Sequence, residues 1–128
     1  MQKDLSFGLQ NENEIILVLK KDFPNVIKTA SNHPFDFITD NTYFELKSRR
    51  CNHNTYPDTM IGYNKILYAK KYPDKNYIFL FKFNDGLYKH HYDPQKEYTI
   101  KQGGRWDRGR QEIKDYAYIK KEDLIVVG

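Results

Sequence analysis

Asp36, Glu45 and Lys47 are the residues of this sequence whose types and spacing could do chemistry. Residues 35–39 and 42–47 are rich in Phe, Tyr, Thr and Ile and flank a two-residue Asp40-Asn41 turn, the pattern of a β-hairpin. Centring the turn on Asp40-Asn41 makes Thr39 face Thr42, Phe37 face Phe44 and Asp36 face Glu45. Directly opposed Cβ atoms in such a pair lie about 4.5–5.5 Å apart on one face of the sheet. Strand alternation puts Tyr43, Glu45 and Lys47 on one side and Phe44 and Leu46 on the other, with Phe35 and Phe37 expected on the Phe44 side. Two like charges directly opposed destabilise a sheet, so a cation is expected to offset them. A hard divalent ion does so naturally, and Mg²⁺ typically takes one or two carboxylates and keeps several waters. Lys47 alone could also do so, in a surface ion-pair cluster that contributes little.

Several elements must hold this hairpin. Ile15, Ile16, Leu19 and Phe23 recur at helix spacing, which predicts a helix over residues 6–21 ended by Phe23-Pro24-Asn25. Residues 26–29 read as a short strand and residues 31–34 as a loop. A second helix is expected over residues 56–71, with Pro57 near its first turn and Met60, Ile61, Ile66 and Leu67 on its apolar side. Residues 77–83 form the most apolar strand, expected to be central, and residues 87–92 return from an Asn84-Asp85-Gly86 turn. Another strand is expected near residues 97–101, then a Gly- and Arg-rich loop over 102–110, and a short strand with an apolar segment over 116–127. This order implies an α/β or α+β fold with a mixed sheet, read as one domain over residues 1–128.

Composition narrows the classes. The chain has 128 residues and 19 Tyr and Phe (11 and 8), too aromatic for a disordered chain. Its longest apolar run is about five residues, too short for a membrane span, and no apolar segment near Met1 suggests a secretory signal. The single Cys51 excludes an internal disulfide and any Cys-rich zinc site, so an intracellular setting is the default expectation. The net charge of +4 is compatible with a nucleic-acid partner.

Pro34-Phe35-Asp36, eight residues, then Glu45-Leu46-Lys47 resembles the signature of the PD-(D/E)xK nuclease superfamily, with one residue inserted between Pro34 and Asp36. The expected order of elements over residues 6–92 is similar to that superfamily's core of α-β-β-β-α-β, a restriction-endonuclease-like mixed central sheet flanked by helices. The resemblance implies a Mg²⁺-dependent endonuclease acting on DNA, with Mn²⁺ able to substitute. Asp36, Glu45 and the main-chain carbonyl of Leu46 would ligate the metal, and Lys47 would assist the attacking water. A glutamate from the first helix often joins the ligands; Glu12 is the choice here and Glu14 the alternative. Small size and AT-biased composition are similar to phage or viral members, which would act in the infected host cell. A junction-resolving member would be a homodimer.

Two basic segments suit DNA. Arg49 and Arg50 follow the hairpin and fit phosphate oxygens, while Asn52, Asn54, Thr55 and Tyr56 fit backbone or base contacts. Arg105, Arg108 and Arg110 are three of the chain's five arginines, and Trp106 among them could stack on a base or lie in the core. Lys65, Lys70 and Lys71 read as solvated, with Lys65 the one that could face the site and meet DNA. His90 and His91 alternate across a strand and read as surface or rim residues rather than a zinc site. The competing readings are a non-catalytic nucleic-acid-binding module on the same fold and a protein-interaction domain. Opposed carboxylates without metal would repel a phosphate backbone, which argues against the first.

Overall fold

The structure is a computed structural model and describes residues 7–103 and 114–127. Helix α1 spans Phe7–Asp22, close to its expected bounds, and buries Ile15 and Leu19. Its end is fixed by the Phe23 N–H donating to the Leu19 carbonyl at 2.7 Å, just before Pro24. Strands β1 (Ile27–Lys28), β2 (Phe37–Ile38) and β3 (Thr42–Ser48) follow as an antiparallel run. The hairpin has the register the sequence implies: Phe37 pairs with Phe44 and Ile38 with Tyr43.

After β3 come β4 (Asp58–Gly62), helix α2 (Tyr63–Lys71) and β5 (Asn76–Phe83). Strand β5 lies parallel to β3, so the chain between them forms a crossover. Strand β6 (Gly86–His91) returns antiparallel through a turn in which Gly86 adopts φ of 152°, a conformation that L side chains rarely adopt. Strands β7 (Thr99–Gly103) and β8 (Lys114–Lys120), a 3₁₀ turn (Lys121–Asp123) and β9 (Ile125–Val126) complete the described chain. The strands form a six-stranded sheet ordered β1-β2-β3-β5-β6-β9 and a three-stranded sheet ordered β4-β8-β7. The fold is thus mixed α+β, consistent with a restriction-endonuclease-like architecture and with the expected core order, β4 being added before α2.

Each face of the large sheet has its own core. On one, Ile15 and Leu19 of α1 pack with Phe37, Phe44, Ile78 and Leu80. On the other, Ile61, Ile66, Ala117 and Ile119, from β4, α2 and β8, pack on Phe79, Phe81 and Phe83. Strand β5 supplies both clusters from alternate residues, which is why its sequence reads as a continuous apolar run.

Three expectations are corrected. Residues 58–62 are strand, not helix: Thr59 and Ile61 are buried while Asp58, Met60 and Gly62 are less so, a period of two that outweighs the helical reading. Leu67, expected on the apolar side of the helix, is 48% exposed because α2 is only nine residues long and turns Ile66 and Ala69 inward instead. Phe35 leaves the Phe44 side and packs with Ala69 and Tyr77. It precedes β2, and its backbone is bent rather than extended: the Thr29 hydroxyl donates to the Phe35 carbonyl at 2.5 Å, and the Phe35 N–H to His33 Nδ1 at 3.0 Å. Strand alternation therefore does not reach it.

His90 is a further correction. It is buried rather than at the rim, between the Asp123 carbonyl at 3.1 Å from Nδ1 and the Tyr98 hydroxyl at 2.8 Å from Nε2. Burial lowers its pKa below the usual histidine value. Neutral, it donates from Nδ1 and accepts at Nε2, and both contacts are satisfied. His91, its neighbour, is exposed as expected.

Candidate active site

Strand β2 pairs with β3 only as far as Phe37 and Ile38, and the next backbone bond is the Asp36 N–H donating to the Phe44 carbonyl at 2.9 Å. Past that point the Asp36 side chain takes over from the strand: its Oδ2 accepts the Leu46 N–H at 2.7 Å. This bond fixes the Asp36 carboxylate against the backbone of the very strand that carries Glu45 and Lys47.

Glu45 is 5% exposed. Its Oε2 lies 3.3 Å from Lys47 Nζ and its Oε1 lies 3.6 Å from Lys65 Nζ, so two lysines hold one carboxylate from two elements. Lys65 projects from the first turn of α2; its ammonium also donates to the Pro34 carbonyl and lies 5.0 Å from the centre of the Phe35 ring. The Glu45 carboxyl is pushed above the ordinary carboxylate range, first by burial and then by the Asp36 charge, and the two lysines only partly offset these. Both lysines act on Glu45, and the repulsion between the two carboxylates is only partly offset. Two carboxylates side by side are donors of the type that suits a hard divalent cation such as Mg²⁺, and room opens beside Glu45.

That room is a cavity of about 460 Å³ lined by Glu45, Lys47, Arg49, Lys65, Lys114 and Tyr116, with Gly62 and Asn64 from the start of α2. Four cationic side chains against one carboxylate make its lining attractive to an anion. The α2 N-terminus has no side-chain cap and no acidic residue in its first turn, so its partial positive charge adds to theirs. Lys114, Tyr116 and Asn64 were not legible as site residues: β8 reaches the cavity only through the second sheet, and nothing in the spacing of residues 114–116 signals it.

The other expected site residues divide. Glu12 is not brought to Asp36 and Glu45: its Oε2 pairs with Lys28 Nζ at 2.8 Å, because α1 lies on the opposite face of the sheet, beside β1. Glu14 is exposed on the same helix, and among the described residues no three acidic, His or Cys groups cluster as a metal cage. Arg49 is turned inward instead of toward solvent: Nη2 donates to the Met60 carbonyl at 2.7 Å and Nε to Thr59 Oγ1 at 3.4 Å, tying the end of β3 to β4. Its burial lowers its pKa, yet it still lines the cavity. Arg50, Asn52, Asn54, Thr55 and Tyr56 lie exposed in the segment after β3, where the Asn52 N–H donates to Thr55 Oγ1 at 3.2 Å. Lys65, the lysine of the second helix that could face the site, does so and sits 3.6 Å from the Glu45 carboxylate. Arg105, Trp106, Arg108 and Arg110 lie outside the described residues.

One pair was missed altogether. His53 Nδ1 lies 2.5 Å from Asp85 Oδ2, the His53 N–H donates to Asp85 Oδ1 at 2.9 Å, and the imidazole stacks on Tyr88 with centroids 4.4 Å apart. The His53 contact lowers the Asp85 pKa. The residues are far apart in sequence, and only the β5–β6 turn brings them together.

No helix among the described residues is long and apolar enough to cross a membrane. No curated protein and no solved structure matches the chain significantly. One family model does match, over residues 10–124, and this span contains α2, every strand but β9 and every residue placed at the site above; the chain belongs to that family, described as "phage putative PDDEXK endonuclease".

Proposed function

We propose that this protein is a divalent-metal-dependent endonuclease that hydrolyses phosphodiester bonds of DNA. The observation that carries the reading is Glu45: a buried carboxylate beside Asp36, gripped by Lys47 and Lys65 at the floor of a cationic cavity. A chain needing only stability would gain by replacing it with an apolar residue. Membership of a nuclease family supports the same conclusion.

Asp36 and Glu45 would hold Mg²⁺ or Mn²⁺, with the Leu46 carbonyl as a third ligand. When bound, such an ion supplies Lewis acidity and a nucleophilic water at neutral pH. The remaining work belongs to the chain. Lys47 orients the attacking water and steadies the charge that develops on the phosphate. Lys65 keeps Glu45 charged and aimed. Lys114 and the first turn of α2 receive the non-bridging phosphate oxygens. Arg49, held by the Met60 carbonyl, fixes the cavity wall. Glu12 is left out of the ligand set because Lys28 holds it.

The test is cleavage of labelled linear duplex, single strand, flap and four-way junction in Mg²⁺, Mn²⁺ and EDTA, with Lys47→Ala and Glu45→Ala alongside. Metal-dependent cutting lost in both variants is expected. DNA binding without cutting of any substrate would replace the enzyme with a binding module.

A further inference from the structure

A second cavity, of about 280 Å³, opens beside the first. The two share Arg49 and Met60, so they lie on either side of one wall. That wall is held from within: the Arg49 guanidinium is bonded to the Met60 carbonyl and to Thr59 Oγ1. The second cavity is otherwise unlike the first. Its lining is largely apolar and aromatic, with Tyr56, Phe83 and Tyr118; apart from Arg49 its polar groups are Asn52, Thr59, Asp58 and His53, whose imidazole is already bound to Asp85. Tyr56 is 62% exposed, an unusually open position for a ring in a chain with this much core.

The first cavity suits a phosphate better than the second, where Arg49 is bonded to Met60 and Thr59, His53 is bonded to Asp85, and Asp58 adds an acidic group. The second suits a flat apolar group with hydrogen bonds at its edge. Its volume lies just below the roughly 300–1,000 Å³ of sites that enclose drug-sized ligands. One heterocycle matches that size and chemistry, and DNA supplies one next to every phosphate. Resting on the nuclease reading above, we infer that this cavity receives an unstacked nucleobase from the nucleotide flanking the scissile phosphate. Tyr56 stacks on it at the mouth, and Asn52, Thr59 and Asp58 meet its edge. Extruding a base is unfavourable, least so at a mismatched or single-stranded position, and stacking on an aromatic ring offsets part of that cost. The cavity would therefore bias cutting toward DNA in which one base is already loosely paired.

The probe is a set of duplex oligonucleotides, each with 2-aminopurine at one position around the cleaved bond, titrated with the protein in EDTA. One position is expected to brighten on binding, and Tyr56→Ala is expected to abolish the brightening and weaken binding about tenfold. Tyr56 is exposed, so this variant should fold; Asp58→Asn provides a second, which should brighten normally yet change the base preferred at that position. If wild type cuts DNA with metal while no position brightens and Tyr56→Ala cuts with unchanged rate and preference, the base cavity is refuted and the nuclease stands. If wild type neither binds nor cuts any DNA, both readings fall together.

Discussion

Phe44 and Glu45 are neighbours on β3, each almost wholly buried, and they face opposite environments. Phe44 meets Ile15, Leu19, Phe37 and Ile78, where every contact is apolar and the burial itself is the stabilising term. Glu45 meets Asp36 and two lysines, and its burial is a cost that the lysines only partly offset. One strand thus serves both purposes with alternate residues. Both faces of the sheet carry a core that holds the chain folded, but only the face opposite α1 also carries groups that folding alone would not select. Such a division means that loss of stability and loss of activity should separate cleanly between adjacent residues.

The largest effect should fall on the Glu45 face. Glu45→Ala is expected to slow cleavage on the order of 10⁴-fold, about 5 kcal/mol of barrier, while its circular dichroism stays that of the wild type. A variant that instead unfolds would erase the distinction between the faces. Next comes Phe44→Ala, expected to cost about 3–5 kcal/mol in urea unfolding. Its remaining folded fraction should cut DNA at close to the normal rate when assayed in the cold. A much smaller change of opposite sign is expected for Glu45→Gln in EDTA at neutral pH. Because folding makes the charged form of this side chain more costly than it is in the unfolded chain, the neutral isostere should raise the melting temperature by roughly 3 °C. A lower melting temperature would mean that Lys47 and Lys65 outweigh burial and Asp36. The smallest effect concerns His90, on the same face as Glu45. Its folded pKa lies below 6.5, so its neutral form carries no penalty above that pH. As pH falls through 6.5, the unfolded chain takes up a proton that the folded chain refuses, and stability declines. Melting curves of wild type and His90→Gln between pH 8 and pH 5 should diverge in that direction, with the shallower slope in the variant.

The hairpin was legible because everything that fixes it is local. A two-residue turn between two β-rich runs sets the register, so Phe37 meets Phe44 and Ile38 meets Tyr43 as the spacing implies, while Asp36 lies past the last paired residue and is held near Glu45 by the Leu46 N–H. What failed was non-local. Residues 58–62 carry a helix-compatible apolar pattern, and only their pairing with residues 116–120 makes them strand. Phe35 escaped strand alternation because Thr29, from another element, bends the chain beneath it. Glu12 has the right helical phase to lie by the core, but phase does not say which face of the sheet the helix covers, and Lys28 was there to meet it. Lys65 shows the reverse: a lysine that reads as solvated in its own helix becomes a principal counterion of Glu45 once β3 and β5 lie parallel.

The parallel pairing of β3 with β5 also sets an order in time. The hairpin can close quickly from neighbouring residues, but Lys65 and the cavity wall arrive with the crossover, and the crossover is secured only when β5 docks along β3. Until then the carboxylates have Lys47 beside them but not Lys65, and no cationic hollow exists to receive a phosphate. A ribosome-bound chain that has not yet released residue 83 therefore carries the full signature of Asp36, Glu45 and Lys47 and should still be unable to cut the DNA around it.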